Sequence, residues 1–393
     1  MVFCDFYLPG YKSGGGMWTV VNIVKRFSSK YDFFIVTRNY DSVGDTKPYD
    51  TVKTGEWNAL GNEQVYYFSK GKLPARKAAD LVNDVSPDLV FLNSAFSQPV
   101  IRYLTARAKH MIAAIPTILA PCGELSKGAL GVKPIKKKLY LKYASLAGLY
   151  RGLIWKASSD AERDEISSVF GFAEKIAIAP DLVPREILPG YDQRQKPFKQ
   201  KGSVRFVFMS RIVPKKNLHF FLECLREVRE GQITFDVIGP VEDHRYWERC
   251  STIIAALGPN ITVNVVGPLS QGEALDRVFS SHIFAMPSLN ENFGYVFIES
   301  LAAGCPLLIS DQTMWGDIEA RNAGWAIPLG RKDLYVQRIK DCVDMDDAEF
   351  RGMSATARSL ALEWLADPAT DNATASLFEE SLTTGSAATK SNG

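Results

Sequence analysis

Residues 283–306 read IFAMPSLNENFGYVFIESLAAGCP. The run Ile283–Met286 is wholly apolar and is closed by Pro287, the pattern of a short strand buried on both faces. A polar loop follows, and from Gly294 the apolar residues fall at helical spacing until Gly304 and Pro306 stop the helix. In an open α/β sheet, a loop that leaves the carboxyl end of a strand and enters a helix N-terminus is where phosphorylated ligands bind. The unpaired amides of the first turn, here those of Asn292 to Val296, favour an anion. Glu291 in the loop and Glu299 on the helix are eight positions apart, and their carboxylates are placed to grip hydroxyl groups. One strand, one loop and one helix therefore point to an α/β fold with its ligand at the strand ends.

The same alternation extends in both directions. Upstream lie strand 204–210, helix 218–228, strand 233–238, helix 246–257, strand 261–266 and helix 273–279. Downstream come strand 307–310, helix 316–322, strand 326–329 and helices 333–343 and 348–365. Nearer the start, strand 2–8 runs through a glycine-rich loop (Gly10, Gly14, Gly15, Gly16) into helix 17–27. Strands 33–37, 65–68, 89–93, 115–120, 153–157 and 176–179 then alternate with helices 73–85, 98–108, 134–150 and 160–170. Strands separated by helices give a parallel sheet covered on both faces. Residues 188–203, polar and rich in proline and glycine, read as a linker. The expected organisation is α/β with two doubly wound Rossmann-like domains, 1–187 and 204–365, facing a cleft. A final segment, 366–393, would pack back on the first domain and fray from Thr383.

Bulk properties exclude several classes. With 46% hydrophobic and 23% charged residues and a net charge of +2, the chain is neither disordered nor strongly polyanion-seeking, and no nucleic-acid motif is present. Six dispersed cysteines with no Cys-x-x-Cys pair read as small buried residues of a reducing compartment, and four scattered histidines leave no metal pattern. No apolar run approaches the roughly 18 residues that span a bilayer. The N-terminal stretch, interrupted by Lys12 and Lys25, does not read as a signal peptide, and none is expected. A cytoplasmic protein is expected. The first glycine loop fits neither Gly-x-Gly-x-x-Gly in its proper place nor the Walker A pattern, which counts against a dinucleotide-binding Rossmann protein and a nucleoside triphosphatase.

Strand 204–210 ends in Arg211, followed by Lys215 and Lys216 ahead of the next helix. Cations at a strand end suit a diphosphate leaving group, because their interaction strengthens as charge develops on the departing oxygen. Arg211 and Lys216 with Asn217, then Glu291 to Glu299 and Gly304 about eighty residues on, resemble glycosyltransferase family 4. These are retaining enzymes of GT-B fold. The Glu-x7-Glu spacing, the Arg-x4-Lys pair and the early glycine loop match, and the resemblance extends from Phe6 to about Trp364.

The resemblance implies a retaining, metal-independent transfer from a uridine or guanosine diphosphate sugar to a hydroxyl of a glycan or lipid-linked glycan, as in surface polysaccharide and lipopolysaccharide synthesis. No cofactor is implied. Arg211, Lys216 and Glu291 would be catalytic, with the two cations on the diphosphate and Glu291 against the sugar. Asn292, Phe293, Gly294, Tyr295 and Val296 would line the donor, Glu299 would hold the ribose, and Gly14, Gly15 and Gly16 would approach the diphosphate from the first domain. Glu124 is the acceptor-side candidate. The chain departs from the family pattern at Pro180-Asp181-Leu182, where Pro-Asn-Gly is common, at Cys122, where a related loop carries arginine, and at Gly316, where a basic residue is frequent.

Between Lys127 and Lys156 lie eight cations and no acidic residue, interleaved with Ile135, Leu139, Tyr140, Tyr143, Leu146 and Tyr150. A basic helix with aromatics over 133–151 suits the anionic inner face of a membrane, as a peripheral association. The competing functions are a GT-B nucleotide-sugar epimerase, a glycan phosphorylase, which the chain length disfavours, and a nucleotide-sugar-binding protein without turnover.

Overall fold

The structure, a computed structural model, describes residues 1–393 apart from 12, 42–44, 46, 70, 72, 132–133, 174, 185–193 and 391–393, and all side chains of the remainder apart from those of 127 and 384–390. Lys12, Lys133 and the first part of the expected linker, 188–193, lie outside the described residues. The chain divides into two compact units, the first made of Met1–Leu182 with Pro368–Gly393, the second of Val183–Asp367.

In the first unit the apolar runs become β1 (Val2–Phe3), β2 (Phe34–Arg38), β3 (Trp57–Leu60), β4 (Glu63–Phe68), β5 (Val90–Asn93), β6 (Thr117–Ala120), β7 (Ile154–Ala157) and β8 (Lys175–Ile178). The intervening helices are α1 (Gly15–Phe27), α2 (Ala75–Val85), α3 (Gln98–Ala108), α4 (Lys127–Leu130), α5 (Pro134–Leu146) and α6 (Asp160–Val169). The sheet order is β3-β4-β2-β1-β5-β6-β7-β8. Strands β5, β6 and β7 are buried along their whole length, as continuous apolar runs between two helical layers must be.

Two departures from the sequence reading concern this sheet. The expected strand 2–8 is regular only over Val2–Phe3; the Cys4 amide still donates to the Val36 carbonyl at 3.2 Å and the Arg38 amide to the Asp5 carbonyl at 3.3 Å, while Arg38 Nε holds the Asp5 carboxylate at 2.8 Å. The sheet is also not wholly parallel: β3 lies antiparallel on β4. Gly61, at φ 64, and Asn62 make the two-residue turn between them, a glycine-led hairpin loop. Trp57 is set edge-on to Phe34 and Tyr66, both at 5.5 Å between ring centroids.

The second unit contains β9 (Ser203–Met209), a 3-10 turn at Pro214–Lys216, α7 (Leu218–Leu225), β10 (Gln232–Ile238), α8 (His244–Ala255), β11 (Ile261–Gly267), α9 (Gln271–Phe279), β12 (Ile283–Met286), α10 (Tyr295–Ala302), β13 (Leu307–Ser310), β14 (Gly324–Ile327), α11 (Lys332–Asp344) and α12 (Asp347–Ala366). Its six strands are all parallel, in the order β11-β10-β9-β12-β13-β14. Helix starts are set by local chemistry. Ser270 with Glu273 and Asp346 with Glu349 form reciprocal capping boxes at α9 and α12.

Residues 316–322, expected as a helix, form successive turns instead. Trp315 and Ile318 are buried while 316, 317 and 319–322 are exposed, and the chain must enter β14 two residues after Asn322, which sits at φ 51. A stretch with two anchors and a left-handed end has no room to propagate a helix.

The expected linker also needs correction, since residues 194–203 belong to the second unit. The ammonium of Lys196 donates to the carbonyls of Phe279 and Ser281 at 2.8 and 2.7 Å, and that of Lys199 to those of Val343 and Met345 at 3.3 and 2.8 Å. These carbonyls lie at the C-terminal ends of α9 and α11, where unpaired oxygens and the helix dipole favour a cation. A lysine-bearing stretch that looks unable to bury anything is thus fixed by its charges, and burial holds the Lys196 ammonium down to about 8.

The last helix, α13 (Ala369–Lys390), returns to the first unit. Phe378 sits between Phe27 and Phe91, and Arg26 and Lys30 of the first unit pair with Asp371 and Glu379. The segment expected to fray from Thr383 continues as helix to Lys390. Among the described residues no helix is long and apolar enough to cross a membrane, and all six cysteines are free thiols.

Candidate functional site

In the second sheet the order of strands reverses between β9 and β12: the chain moves from β9 to β10 on one side and from β12 to β13 on the other. Such a switch point opens a crevice at the carboxyl ends of the two central strands, since their loops turn away from each other. Arg211, Lys215 and Lys216 leave the end of β9, and Glu291 leaves the end of β12. The amide of Leu289 donates to the Lys215 carbonyl at 2.9 Å, which ties the two loops together. The Lys216 ammonium sits on a Glu291 carboxylate oxygen, with side chains only 12% and 10% exposed. The Glu291 amide is fixed in turn by the Gln312 carbonyl, at 3.0 Å, from the loop after β13. Burial pushes the Glu291 carboxyl up, but the charges of Lys216, Lys215 and Arg211 and the Lys216 hydrogen bond outweigh it and hold the group below its ordinary value. Glu291 is therefore an anion enclosed by cations.

The turn into α10 depends on Gly294. Its φ is 75, in the left-handed region, and a Cβ there would stand 2.5 Å from the Phe297 ring and 3.0 Å from Glu291 Cγ. Any side chain at 294 would displace the catalytic candidate beside it. Phe293 is buried, packed on Tyr295 and Trp364 with ring centroids 5.0 and 6.0 Å away, so its side chain belongs to the core and only its backbone faces the loop. Val296 packs partly against the same core. Glu299 accepts a hydrogen bond from Gln271 Nε2 at 3.1 Å, and burial, only partly offset by that bond, pushes its carboxyl up to about 7. Arg211 is more open and pairs with Glu242 at 2.9 Å, beyond the end of β10. The structure thus joins Lys216 directly to Glu291, while Arg211 acts on Glu291 only through its field.

Glu242, Gln271 and Gln312 were not identified from sequence. Glu242 had a weak signal, a carboxylate just past the strand end marked by Gly239 and Pro240. Gln271 and Gln312 had none, because each is brought in by the packing of a neighbouring element.

The first sheet has its own switch point, between β1 and β5. Gly14, at φ 72, is the N-cap of α1, and Gly15 and Gly16 are its first two residues. Asn93, at the end of β5, donates to the Gly16 carbonyl at 2.8 Å and accepts from the Cys122 thiol at 3.2 Å. Burial pushes that thiol well above its ordinary value. Glu124 is taken up by the fold: it accepts from the Ser94 hydroxyl at 2.8 Å and from the amides of Ala95 and Phe96 at 2.7 and 3.1 Å. Burial raises its carboxyl, and these bonds oppose the rise. The unusual Asp181 has a counterpart, for its carboxylate meets the Lys156 ammonium at 2.7 Å in a pair only 6% and 2% exposed.

Two doubly wound units of this kind define the GT-B architecture of glycosyltransferases. Residues 191–358, most of the second unit, match the family described as glycosyl transferases group 1. A curated relative, a putative colanic acid biosynthesis glycosyltransferase, WcaL, from Escherichia coli, is 23% identical over 167 residues, which is 39% of this chain and 40% of the relative. The chain thus spans about 40% of the length of that relative. Among solved structures, Anabaena HepE in complex with UDP and glucose superposes with a TM-score of 0.66 at 16% identity, over 96% of this chain and 98% of its own. Sucrose-phosphate synthase from Thermosynechococcus elongatus gives 0.72 at 14% identity, over 98% of both chains. At these identities the likeness is one of fold.

Proposed function

We propose that this chain is a family 4 glycosyltransferase that moves a sugar from a nucleoside diphosphate to a hydroxyl of a glycan or lipid-linked glycan, with retention at the anomeric carbon. The observation that carries the reading is the Lys216–Glu291 pair at the second switch point, flanked by Lys215 and Arg211. The matched group 1 domain and the UDP bound by Anabaena HepE support the donor class, and the colanic acid relative supports a role in surface polysaccharide assembly.

The chemistry follows from the charges. A diphosphate entering at the end of β9 exchanges internal carboxylate partners for phosphate oxygens, Lys216 from Glu291 and Arg211 from Glu242. Freed from Lys216, the Glu291 carboxylate turns to the sugar hydroxyls, while Glu299 accepts hydrogen bonds from the ribose. As the glycosidic bond breaks, negative charge collects on the leaving phosphate, where Arg211 and Lys216 stabilise it more strongly than in the ground state. The departing phosphate takes the proton of the incoming hydroxyl on the same face, which gives retention without a covalent nucleophile. The two cations do the work a divalent ion does elsewhere, so turnover should be unchanged by a chelator. The free thiols fit a reducing, cytoplasmic setting.

The test is a thermal-shift screen of nucleoside diphosphate sugars followed by donor hydrolysis. Stabilisation should grow as RT ln(1 + [L]/Kd) for the true donor. Wild-type turnover in both Lys216→Ala and Glu299→Ala would sink the site assignment. Sugar epimerisation without an acceptor would move the protein to the epimerase class.

A further inference from the structure

We infer that α5 docks the first unit on the surface of an anionic lipid bilayer. The helix is fixed by one face only. Tyr140 bonds to the Tyr150 hydroxyl at 2.9 Å and packs edge-on against Phe96, Ala144 is fully buried, and Leu141 packs against the core. Lys137 turns inward too, donating to the Ala129 carbonyl at 2.7 Å. The opposite face is apolar and open to water: Ile135 is 76% exposed, Leu139 65%, Tyr143 59% and Leu146 82%. At about 100° per residue these four side chains fall within roughly 80° of one another, so they form a single stripe. Lys138 and Lys142 border it on one side and Lys136 on the other, all exposed.

Four large exposed apolar side chains on one helix are more than scattered surface hydrophobics account for, and they mark a partner. Charge decides which one. No acidic residue occurs between Lys127 and Lys156. A second copy meeting this face across a two-fold axis would bring the same lysines against each other. An anionic bilayer meets both demands at once. Its acyl boundary takes up Ile135, Leu139 and Leu146, Tyr143 lies at the headgroup level, and the flanking lysines meet lipid phosphates. The inference concerns the first unit alone and does not depend on the reaction proposed for the second.

Flotation of the full chain with phosphatidylcholine vesicles, with and without about one third phosphatidylglycerol, tests it. Binding is expected to the anionic vesicles only and to fall steeply as salt rises. Each lysine near such a surface strengthens partition by about fivefold, so Lys136→Gln, Lys138→Gln and Lys142→Gln combined should weaken it roughly a hundredfold. Leu139→Ser with Leu146→Ser should abolish binding at any salt concentration while leaving the melting temperature and donor hydrolysis as in the wild type, since neither side chain packs in the core. Equal binding to neutral vesicles, or none to anionic ones, overturns the inference. So does a concentration-dependent dimer in sedimentation velocity that Leu139→Ser dissociates.

Discussion

At the carboxyl end of the first sheet, Glu124 is bound by amides and a hydroxyl, Lys156 faces Asp181 deep in the unit, and the glycine turn of α1 is braced by the neutral Asn93. At the same place in the second sheet, Lys216 faces Glu291 in a pair that keeps a tenth of its surface, and Arg211 holds Glu242 while 43% exposed. Both ends flank switch points, yet the Lys156–Asp181 pair of the first is sealed, whereas the Lys216–Glu291 and Arg211–Glu242 pairs of the second are within reach of solvent. A sealed pair is fixed by the cost of separating it in a low dielectric, whereas a pair at the surface of a crevice can trade its partner for a ligand. Exchangeability, rather than the mere presence of charges, is what sets the proposed donor site apart from the Lys156–Asp181 pair.

The largest effect should come from breaking the sealed pair. Lys156→Met leaves Asp181 buried without a counter-charge and should cost about 3–5 kcal/mol in urea unfolding. Replacing Asp181 with Leu in the same chain should recover most of it, and donor affinity of the double variant should stay within about twofold. At the exchangeable pair the loss should be kinetic. Lys216→Ala should lower donor turnover by about a hundredfold to a thousandfold, the range for removing one transition-state donor. If it unfolds the protein as Lys156→Met does, the two ends are not different in kind.

Gly294→Ala probes the frame of the second site. The left-handed φ and the clash with Phe297 should together lower stability by about 2 kcal/mol and weaken donor binding about tenfold, read by calorimetry. The smallest effect is expected at Glu299, whose carboxyl is raised from 4.5 to about 7. The fold favours its neutral form, so its contribution to stability is complete below pH 4.5 and is lost as pH rises to 7. Glu299→Gln should therefore match the wild type at pH 4 and exceed it at pH 8 by about 1 kcal/mol, a fraction of the full linkage because the group is partly hydrated. Donor affinity should run the other way: it should strengthen through pH 7 in the wild type, as the carboxylate forms, and stay flat in the variant.

Much of this was legible in sequence because buried parallel strands announce themselves as apolar runs, as β12 and β13 of the second unit do. Ile283–Met286 fell on the strand found, and Gln98–Ala108 on the helix found. The failures share a cause. Lys196 and Lys199 looked solvated, since composition does not show that helix C-termini will receive their ammonium groups. Trp57–Leu60 was missed because an edge strand of four residues has too little alternation to register. Lys216 and Glu291 could be named from sequence, but their pairing arises where two loops 75 residues apart meet. Asp181 looked like an anomaly until Lys156, on β7, supplied its partner.

The return of α13 to the first unit has a consequence for the order of assembly. Val183–Asp367 precedes Ala369–Lys390 along the chain, and that helix belongs to the other unit. The first unit, although begun earliest, lacks Leu377 and Phe378 from its interior until the last helix is made. The amino-terminal half of the chain is therefore the last to be finished. A fragment ending at residue 367 should carry a folded second unit beside a first unit that proteases still open.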